Sequence, residues 1–217
     1  MASEDEVKAL RPPSLLEVLD NREKTDGPRL SLTHLLYVAK TQDKDAALEF
    51  HREVMVDLQK VEGGVTGILL VQDGALVHYM EASNFHTNAF LRHLNTQGKG
   101  VVSDARVMLS SEDCDRRNFS KWTSLHVNAA SEGDVSISGE DPTDLAFDLF
   151  TNLCKIQSAG EKPVTMCPSA QRVEAYTTCE GFFLLEEYLD MFDAPVTLVL
   201  GSEKVWPLQP TVSYAGL

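Results

Sequence analysis

The stretch GVTGILLVQDGALVHYMEA, residues 64–82, decides the fold of this chain. It holds two apolar, β-rich runs, residues 65–71 and 76–80, separated by Gln72-Asp73-Gly74. Glycine accepts a positive φ without a clash at Cβ, so the separating residues predict a tight turn and the whole stretch predicts a β-hairpin. Both runs are too apolar for strands with one wetted face. We therefore expect the hairpin at the centre of a sheet.

Strands and helices alternate on either side of the hairpin. Upstream, the sequence predicts a strand over residues 30–39 and then a helix from residue 46, which Thr41 caps. Downstream, Ser83 or Asn84 caps a helix over residues 85–95. Strands follow at 105–109 and, as a candidate, at 119–127. The inward face of the second helix is predicted to hold Phe85, Ala89, Phe90 and Leu94.

The order β-α-β-β-α-β-β is the ferredoxin-like plan with one strand appended. We therefore predict an α+β fold in which an antiparallel sheet packs two helices on one face. The chain divides into an N-terminal arm (1–29), this domain (30–127), an acidic linker (128–142) and a mostly helical C-terminal extension (143–217). How the extension packs, on the sheet or apart from it, is left open by the sequence.

The arm and the extension carry local signals of their own. Ser14 and Glu17 have the spacing of a capping box, which predicts a short helix in the arm. In the extension, helices are predicted over 144–157 and 181–192, and a strand over 196–200. The apolar stripe of the first of these helices consists of Leu145, Leu149, Leu153 and Ile156.

Charge is unevenly distributed along the chain, whose net charge is −14. Residues 1–121 carry 15 basic and 19 acidic side chains, and residues 122–217 carry 4 basic and 14 acidic ones. Nucleic acids and anionic membranes require clustered lysine and arginine, so both are poor partners. The acidic surface is either a solvated face or a dock for a basic segment of a partner.

The compartment is predicted from the apolar pattern and the cysteines. No apolar run approaches the roughly 20 residues of a membrane helix, and the acidic start predicts no signal peptide. The four cysteines form no CxxC pair, so we expect free thiols in a reducing compartment. The cytoplasm, or a structure bathed by it, is the expected location.

Motifs of catalysis and metal binding are missing from the sequence. There is no GxSxG, and the glycines at 63, 64 and 67 lack the spacing of a phosphate-binding loop. Charged residues 113–117 have the character of a solvated loop. We therefore predict no enzyme activity, no metal and no cofactor. The histidines that show no ligand spacing are His34, His51, His86, His93 and His126.

The hairpin, followed by Phe119-Ser120-Lys121-Trp122, resembles the BLUF family of flavin-binding blue-light sensors over about residues 30–127. The family carries a tyrosine in strand one, which Tyr37 matches, and a strand two and three pattern in which Thr66-Gly67, Gly74 and Glu81 match. Phe119 and Trp122 match its late F-x-x-W. The resemblance implies a ferredoxin-like fold with a site between the sheet and its helices.

The residues that would hold flavin are not retained. The family's signalling glutamine is replaced by His78, its flavin-binding asparagine falls near Lys60, and its methionine after the tryptophan is Ser124. Imidazole cannot reproduce an amide that offers a carbonyl acceptor and two N–H donors. We therefore treat Tyr37, Lys60, His78, Trp122 and Ser124 as vestigial flavin-pocket positions. Tyr37 and His78 could hydrogen-bond each other, either as packed core residues or beside a small retained pocket.

A narrower resemblance is to the BLUF-like testis-expressed proteins of sperm and ciliated cells, and it implies association with the axoneme. The first hypothesis is a non-catalytic structural or adaptor protein that docks on other axonemal proteins, with little charge-driven binding to acidic tubulin. The alternative is a flavin-binding sensor with altered photochemistry. An acyl- or phosphate-handling enzyme on the same fold ranks last, because no phosphate-loop residues support it.

Overall fold

A computed structural model describes residues 12, 14–18, 21, 31–60, 63–127, 137, 139–158 and 167–194. The strands are β1 (Leu32–Thr41), β2 (Thr66–Gln72), β3 (Ala75–Ala82), β4 (Val102–Cys114), β5 (Trp122–His126) and β6 (Phe183–Leu184). The helices are α1 (Lys44–Gln59), α2 (Asn84–Gln97), α3 (Pro142–Ser158), α4 (Ala170–Thr178) and α5 (Leu185–Phe192). None of the helices in these ranges is long and apolar enough to cross a membrane.

The six strands form one sheet in the order β5-β2-β3-β1-β4-β6. Strands β2, β3, β1 and β4 are antiparallel neighbours, which together with α1 and α2 is the predicted ferredoxin-like plan. The predicted fifth strand is present, but it joins β2 in parallel, so the sheet is mixed and not wholly antiparallel. Parallel pairing requires a long connection, here the whole path through β3, α2 and β4.

The predicted hairpin is confirmed at the centre of the sheet. Gln72 pairs with Ala75 across a turn in which Gly74 has a φ of +88°. Every residue of β2 and β3 is buried, because both faces of the sheet are covered. Gly67 has a φ of +140°, and a Cβ at that position would strike the backbone carbonyl of Tyr79. This glycine therefore permits the close approach of the two central strands.

One face of the sheet packs against α1 and α2, with α5 beside them. The cap of α1 is Asp43 and not the predicted Thr41: its carboxylate accepts the N–H groups of Asp45 and Ala46, whereas Thr41 is still part of β1. Ser83 caps α2 as predicted. The prediction that Phe85 faces inward is wrong, since its side chain is 73% exposed. The buried residues of α2 are Thr87, Phe90, Leu91 and Leu94.

The other face of the sheet packs against α3 and α4. The stripe predicted for α3 is buried there. Helix α4 was not predicted, and α5 begins at Leu185, four residues later than predicted, because Phe183 and Leu184 pair with β4. The capping box of Ser14 and Glu17 forms, with each backbone N–H bonded to the other side chain. The strand predicted over 196–200 lies outside the described residues, and the four-segment division of the chain stays a prediction.

Candidate functional site

Four of the five strands β1 to β5 contribute to one cross-strand row that faces α1 and α2. Tyr37 pairs with His78, His78 with Leu69, and Leu69 with Ser124. Paired residues of neighbouring strands project from the same face, so the pleat places these four side chains side by side. The structure therefore brings Tyr37, His78 and Ser124 into one row. Trp122 lies two residues before Ser124 on β5.

Tyr37 hydrogen-bonds a histidine of α1 and not the predicted His78. Its hydroxyl lies 2.5 Å from Nε2 of His51, while Nδ1 of His51 lies 2.6 Å from the carbonyl of Ala47. A carbonyl only accepts, so Nδ1 carries the proton and Nε2 accepts from the tyrosine hydroxyl. Burial lowers the pKa of His51 to about 4 and raises that of Tyr37 well above its usual value. The pair is thus neutral and fully bonded.

His78 bonds the indole of Trp122 instead. Trp122 donates its Nε1–H to Nε2 of His78 over 3.0 Å, so the proton of the neutral ring sits on Nδ1. That Nδ1 is buried and has no hydrogen-bond partner. Burial, together with the nearby His51, lowers the pKa of His78 well below its usual value, which keeps the ring neutral. The chain therefore accepts one buried donor without a partner at this position, which costs about 1–3 kcal/mol.

These rings fill the space between the sheet and its two helices. The ring of His78 lies 5.4 Å from that of Tyr37, 5.3 Å from His51, 5.5 Å from Phe90 and 6.1 Å from Trp122, measured between centroids. The four contacts are near perpendicular, the edge-to-face arrangement that aromatic rings favour. We call Tyr37, His51, His78, Phe90 and Trp122 the aromatic cluster.

The sequence did not predict that His51 belongs to this cluster. The histidines lack the spacing of metal ligands, so their spacing did not distinguish His51. A usable signal was present: His51 lies four residues from both Ala47 and Met55, on the buried stripe of α1. A histidine in such a stripe must find a hydrogen-bond partner inside the protein.

The two remaining positions named from the resemblance, Lys60 and Ser124, have different surroundings. Lys60 lies at the end of α1 with its side chain 70% exposed, and its ammonium pairs with Asp57 at 2.8 Å. It is therefore not part of the aromatic cluster. Ser124 accepts a hydrogen bond from the Arg52 guanidinium at 3.4 Å. Within the described ranges, no three histidine, cysteine or acidic side chains are grouped closely enough to hold a metal ion.

A second polar centre lies on the opposite face of the sheet, at Glu81. Its fully buried carboxylate accepts hydrogen bonds from the hydroxyls of Thr66 (2.6 Å) and Tyr79 (3.1 Å). It also accepts from the backbone N–H groups of Asn118 (2.7 Å) and Phe119 (3.2 Å). A buried carboxylate is tolerated only when its oxygens are bonded in this way. Glu81 thus anchors the loop that leads into β5.

Arg117 completes this centre, and its assignment to a solvated loop was wrong. Its guanidinium donates to the hydroxyl of Thr66 at 2.8 Å and to the backbone carbonyl of Glu81 at 2.9 Å. It also donates to the carbonyls of Gly63 and Gly64 at the start of the hairpin. The guanidinium therefore ties the loop before β5 to the strand entrance, using several of its five donors.

Two clefts lie elsewhere on the described surface. One, of about 370 Å³, lies between the end of α2, the start of β4 and Leu185. The other, of about 420 Å³, lies between β4 and the start of α3. Neither is lined by a member of the aromatic cluster.

Comparison with solved structures finds similar chains among light-responsive proteins. BlrB, a BLUF protein in its dark state, is 15% identical over 69% of this chain and 98% of its own, with a TM-score of 0.37. BlrP1 of Klebsiella pneumoniae is 19% identical over 44% of this chain, with a TM-score of 0.36. A bacterial light-regulated adenylyl cyclase is 13% identical over 63% of this chain, with a TM-score of 0.39.

This chain spans 42% of the cyclase chain and 24% of the BlrP1 chain. The strand order, and not these scores, assigns the fold. The sequence itself matches the family model of testis-expressed protein 47 over residues 31–166, more than half of the chain. That range contains the whole aromatic cluster and the Glu81 centre. The chain therefore belongs to the testis-expressed protein 47 family.

Proposed function

We propose that this chain is a non-catalytic structural or adaptor protein of the ciliary or flagellar axoneme, built on a BLUF-like domain that has lost its flavin photochemistry. The observation that carries this proposal is the filling of the space between the sheet and helices α1 and α2 by the aromatic cluster.

Volume is the first argument against flavin. A cofactor site usually needs a cavity of about 300–1,000 Å³. Tyr37, His51, His78 and Phe90 are buried to within 1% of their surfaces, and their rings are in mutual contact. A three-ring system could enter only if several of these side chains left the core, which would forfeit their packing.

Hydrogen bonding is the second argument. The polar atoms of Tyr37 and His51 are used within the protein, and so is Nε2 of His78. The cluster therefore offers an entering ring one donor, Nδ1–H of His78, and one acceptor, the oxygen of the Tyr37 hydroxyl, whose proton is donated to His51. Lys60, at the position of the family's asparagine, is committed to Asp57 on the surface. The residues present do not fit a flavin ring, which needs several donors and acceptors along its edge.

Family membership and charge support the adaptor half of the proposal. The family is testis-expressed, and the resemblance to BLUF-like proteins of sperm and ciliated cells implies the axoneme. A chain of net charge −14 is repelled by acidic tubulin. We therefore expect it to dock on other axonemal proteins and to reach the cytoskeleton through them, without nucleic acid or membrane as partners.

One absorption experiment tests the loss of flavin. Purified full-length protein is incubated with riboflavin, flavin mononucleotide and flavin adenine dinucleotide, desalted, and its visible spectrum recorded. We expect no flavin band, and none after Phe90→Ala, which enlarges the core without supplying hydrogen-bond partners. A retained flavin band in the wild type would overturn the proposal.

Such a band would favour the alternative, a flavin-binding sensor with altered photochemistry. The one observation on its side is the buried Nδ1–H of His78, which has no partner within the protein. The alternative requires the bound flavin to be lost in His78→Leu.

A localisation experiment tests the adaptor role. Tagged full-length protein is imaged in ciliated cells together with an axonemal marker. We expect signal along the axoneme that survives detergent extraction, because the attachment is to protein. A diffuse cytosolic signal in cells with intact cilia would contradict the proposal.

A further inference from the structure

The cleft between β4 and α3 has an apolar floor and one exposed aromatic wall. We call it the β4–α3 groove; it is lined by residues 108–111 of β4, by Ala146 and Phe147 of α3, and by Phe182. The side chains of Met108, Ala146 and Phe182 are buried in the floor. Phe147 stands above them with 55% of its surface exposed. Its volume, about 420 Å³, is enough for one or two large side chains of a partner.

The groove follows a sheet edge that continues past the end of its neighbour. Strand β6 pairs with β4 only at Arg106 and Val107. From Met108 to Cys114, the outer edge of β4 has no strand partner among the described residues. Such an edge presents backbone N–H and C=O groups that an extended peptide can pair with. A peptide entering the groove would therefore lie where β6 stops.

The rim of the groove is negative. Asp144 is exposed on α3 next to the lining residue Thr143, and Glu180 is exposed next to the lining residue Gly181. Glu112 is exposed on the other face of β4, where its carboxylate accepts a hydrogen bond from the Asn84 amide at 2.7 Å. The nearest cation in the sequence, Arg106, donates its guanidinium N–H groups to the carbonyls of Thr177 and Phe182 at 2.5 and 2.6 Å. Its charge thus points into the protein. A partner with lysine or arginine side chains is complementary to this rim.

We propose that the β4–α3 groove binds an extended segment of a partner protein in which apolar and basic residues alternate. Its apolar side chains pack on Phe147 and the floor, and its backbone extends the sheet at residues 108–111. Its basic side chains turn away from the floor, where the acidic surface of a chain of net charge −14 attracts them. Alternation follows from the pleat, which turns successive side chains of an added strand to opposite faces. The inference rests on the proposed adaptor function and names its class of partner.

A binding experiment tests the groove directly. A fluorescein-labelled decapeptide of alternating lysine and valine is titrated with full-length protein and followed by fluorescence anisotropy. We expect saturable binding that weakens as salt is raised from low to high ionic strength, and none for the matched peptide of alternating glutamate and valine. A central aromatic anchor usually contributes a large part of the binding energy, so Phe147→Ala should weaken binding at least about tenfold.

Phe85→Ala is the matched control, because Phe85 is also an exposed phenylalanine on a helix but lies on α2, away from the groove. It should leave peptide affinity within about twofold. Equal losses in Phe85→Ala and Phe147→Ala would overturn the proposal, as would the absence of binding to the wild type. Both variants change an exposed side chain, so we expect both to fold.

Two other occupants would also overturn the proposal. If Leu198→Asp in the full chain creates peptide binding that the wild type lacks, residues of the chain's own C-terminal extension occupy the groove. If the wild type sediments as a dimer and Phe147→Ala as a monomer, the occupant is a second copy.

Imaging separates this inference from the function on which it rests. Loss of axonemal signal in Phe147→Ala, with signal retained in Phe85→Ala, supports both. Axonemal signal in every variant, without peptide binding, removes the groove and leaves the adaptor role. Diffuse wild-type signal with Phe147-dependent peptide binding removes the adaptor role and leaves the groove as a basic-peptide site.

Discussion

The buried carboxylate of Glu81 is the polar group whose replacement we expect to cost most, and Glu81→Gln is the sharpest perturbation. Glutamine has the same shape, but one of its two terminal groups is an NH₂ donor. The carboxylate accepts four hydrogen bonds, two at each oxygen: Thr66 and Phe119 donate to one, Tyr79 and Asn118 to the other. Whichever way the amide is turned, its NH₂ meets one backbone N–H, which can only donate, and one hydroxyl, which must give up its own donated hydrogen bond to accept from the NH₂.

The magnitude follows from the number of bonds lost. Two hydrogen bonds to a charged acceptor disappear, each worth about 1.5–3 kcal/mol. The neutral amide recovers part of this because it no longer carries the cost of a buried charge. We expect a net destabilisation of about 3 kcal/mol. With a slope of about 2 kcal/mol per molar urea, that lowers the unfolding midpoint by about 1.5 M.

The measurement is urea unfolding at pH 7, followed by circular dichroism and by tryptophan fluorescence. Glu53→Gln is the matched control, because Glu53 lies on the exposed side of α1. Its free energy of unfolding should change by no more than that of other surface substitutions, about 0.5 kcal/mol. Because Glu81 anchors the loop before β5, the fluorescence of Trp122 should shift to the red in the folded variant. Equal midpoints for the two variants would refute the assignment of Glu81 as the anchor of this loop.

Three further predictions concern the core. The buried His51 has a pKa of about 4 in the folded chain against about 6.5 in the unfolded chain, and burial also lowers the pKa of His78 well below its usual value. As pH falls, the unfolded chain therefore binds protons first, and stability that is present above pH 6.5 is lost towards pH 4. We expect His51 to lower the free energy of unfolding, measured in urea, by about 2 kcal/mol between pH 7 and pH 5. His78→Phe should make the fall in stability with pH less steep than in the wild type; an unchanged pH dependence would contradict a neutral, buried His78. Gly67→Ala should cost about 3 kcal/mol or more and Gly74→Ala only about 1, because the first Cβ strikes a backbone carbonyl and the second meets open space; similar melting temperatures for both would argue against the close approach. His78→Gln, which restores the amide of the BLUF pattern, should still yield colourless protein after incubation with flavin, since Tyr37, His51 and Phe90 keep their places; a flavin absorption band would show that the amide alone decides binding.

Patterns read within one element were predicted well. The hairpin of β2 and β3, the cap at Ser83, the capping box of Ser14 and Glu17 and the stripe of α3 all follow from the sequence, because each depends on residues a few positions apart. Helix α4 was missed, since its nine residues carry a weak apolar pattern and its Ser169 cap stands in a stretch rich in turn residues.

The candidate site was predicted in part. Tyr37, His78 and Trp122 were named from the resemblance, and the structure brings them together. Their bonding partners were not predicted: Tyr37 bonds His51 and Arg117 bonds the entrance of the hairpin, 14 and more than 50 residues away in sequence. No local pattern reports which buried donor meets which acceptor across such separations.

By itself, then, the sequence determined the central hairpin, the order of the first seven elements and the replacement of the flavin-binding side chains. Only the tertiary structure decided that β5 lies parallel to β2 and that His51 and Phe90 fill the space between the sheet and its helices. It also decided that the β4–α3 groove follows the part of the β4 edge that β6 does not pair with. The physical reason is that periodicity and turn chemistry act between neighbours in the chain. Packing, strand register and the satisfaction of buried polar atoms arise only when distant residues share one interior.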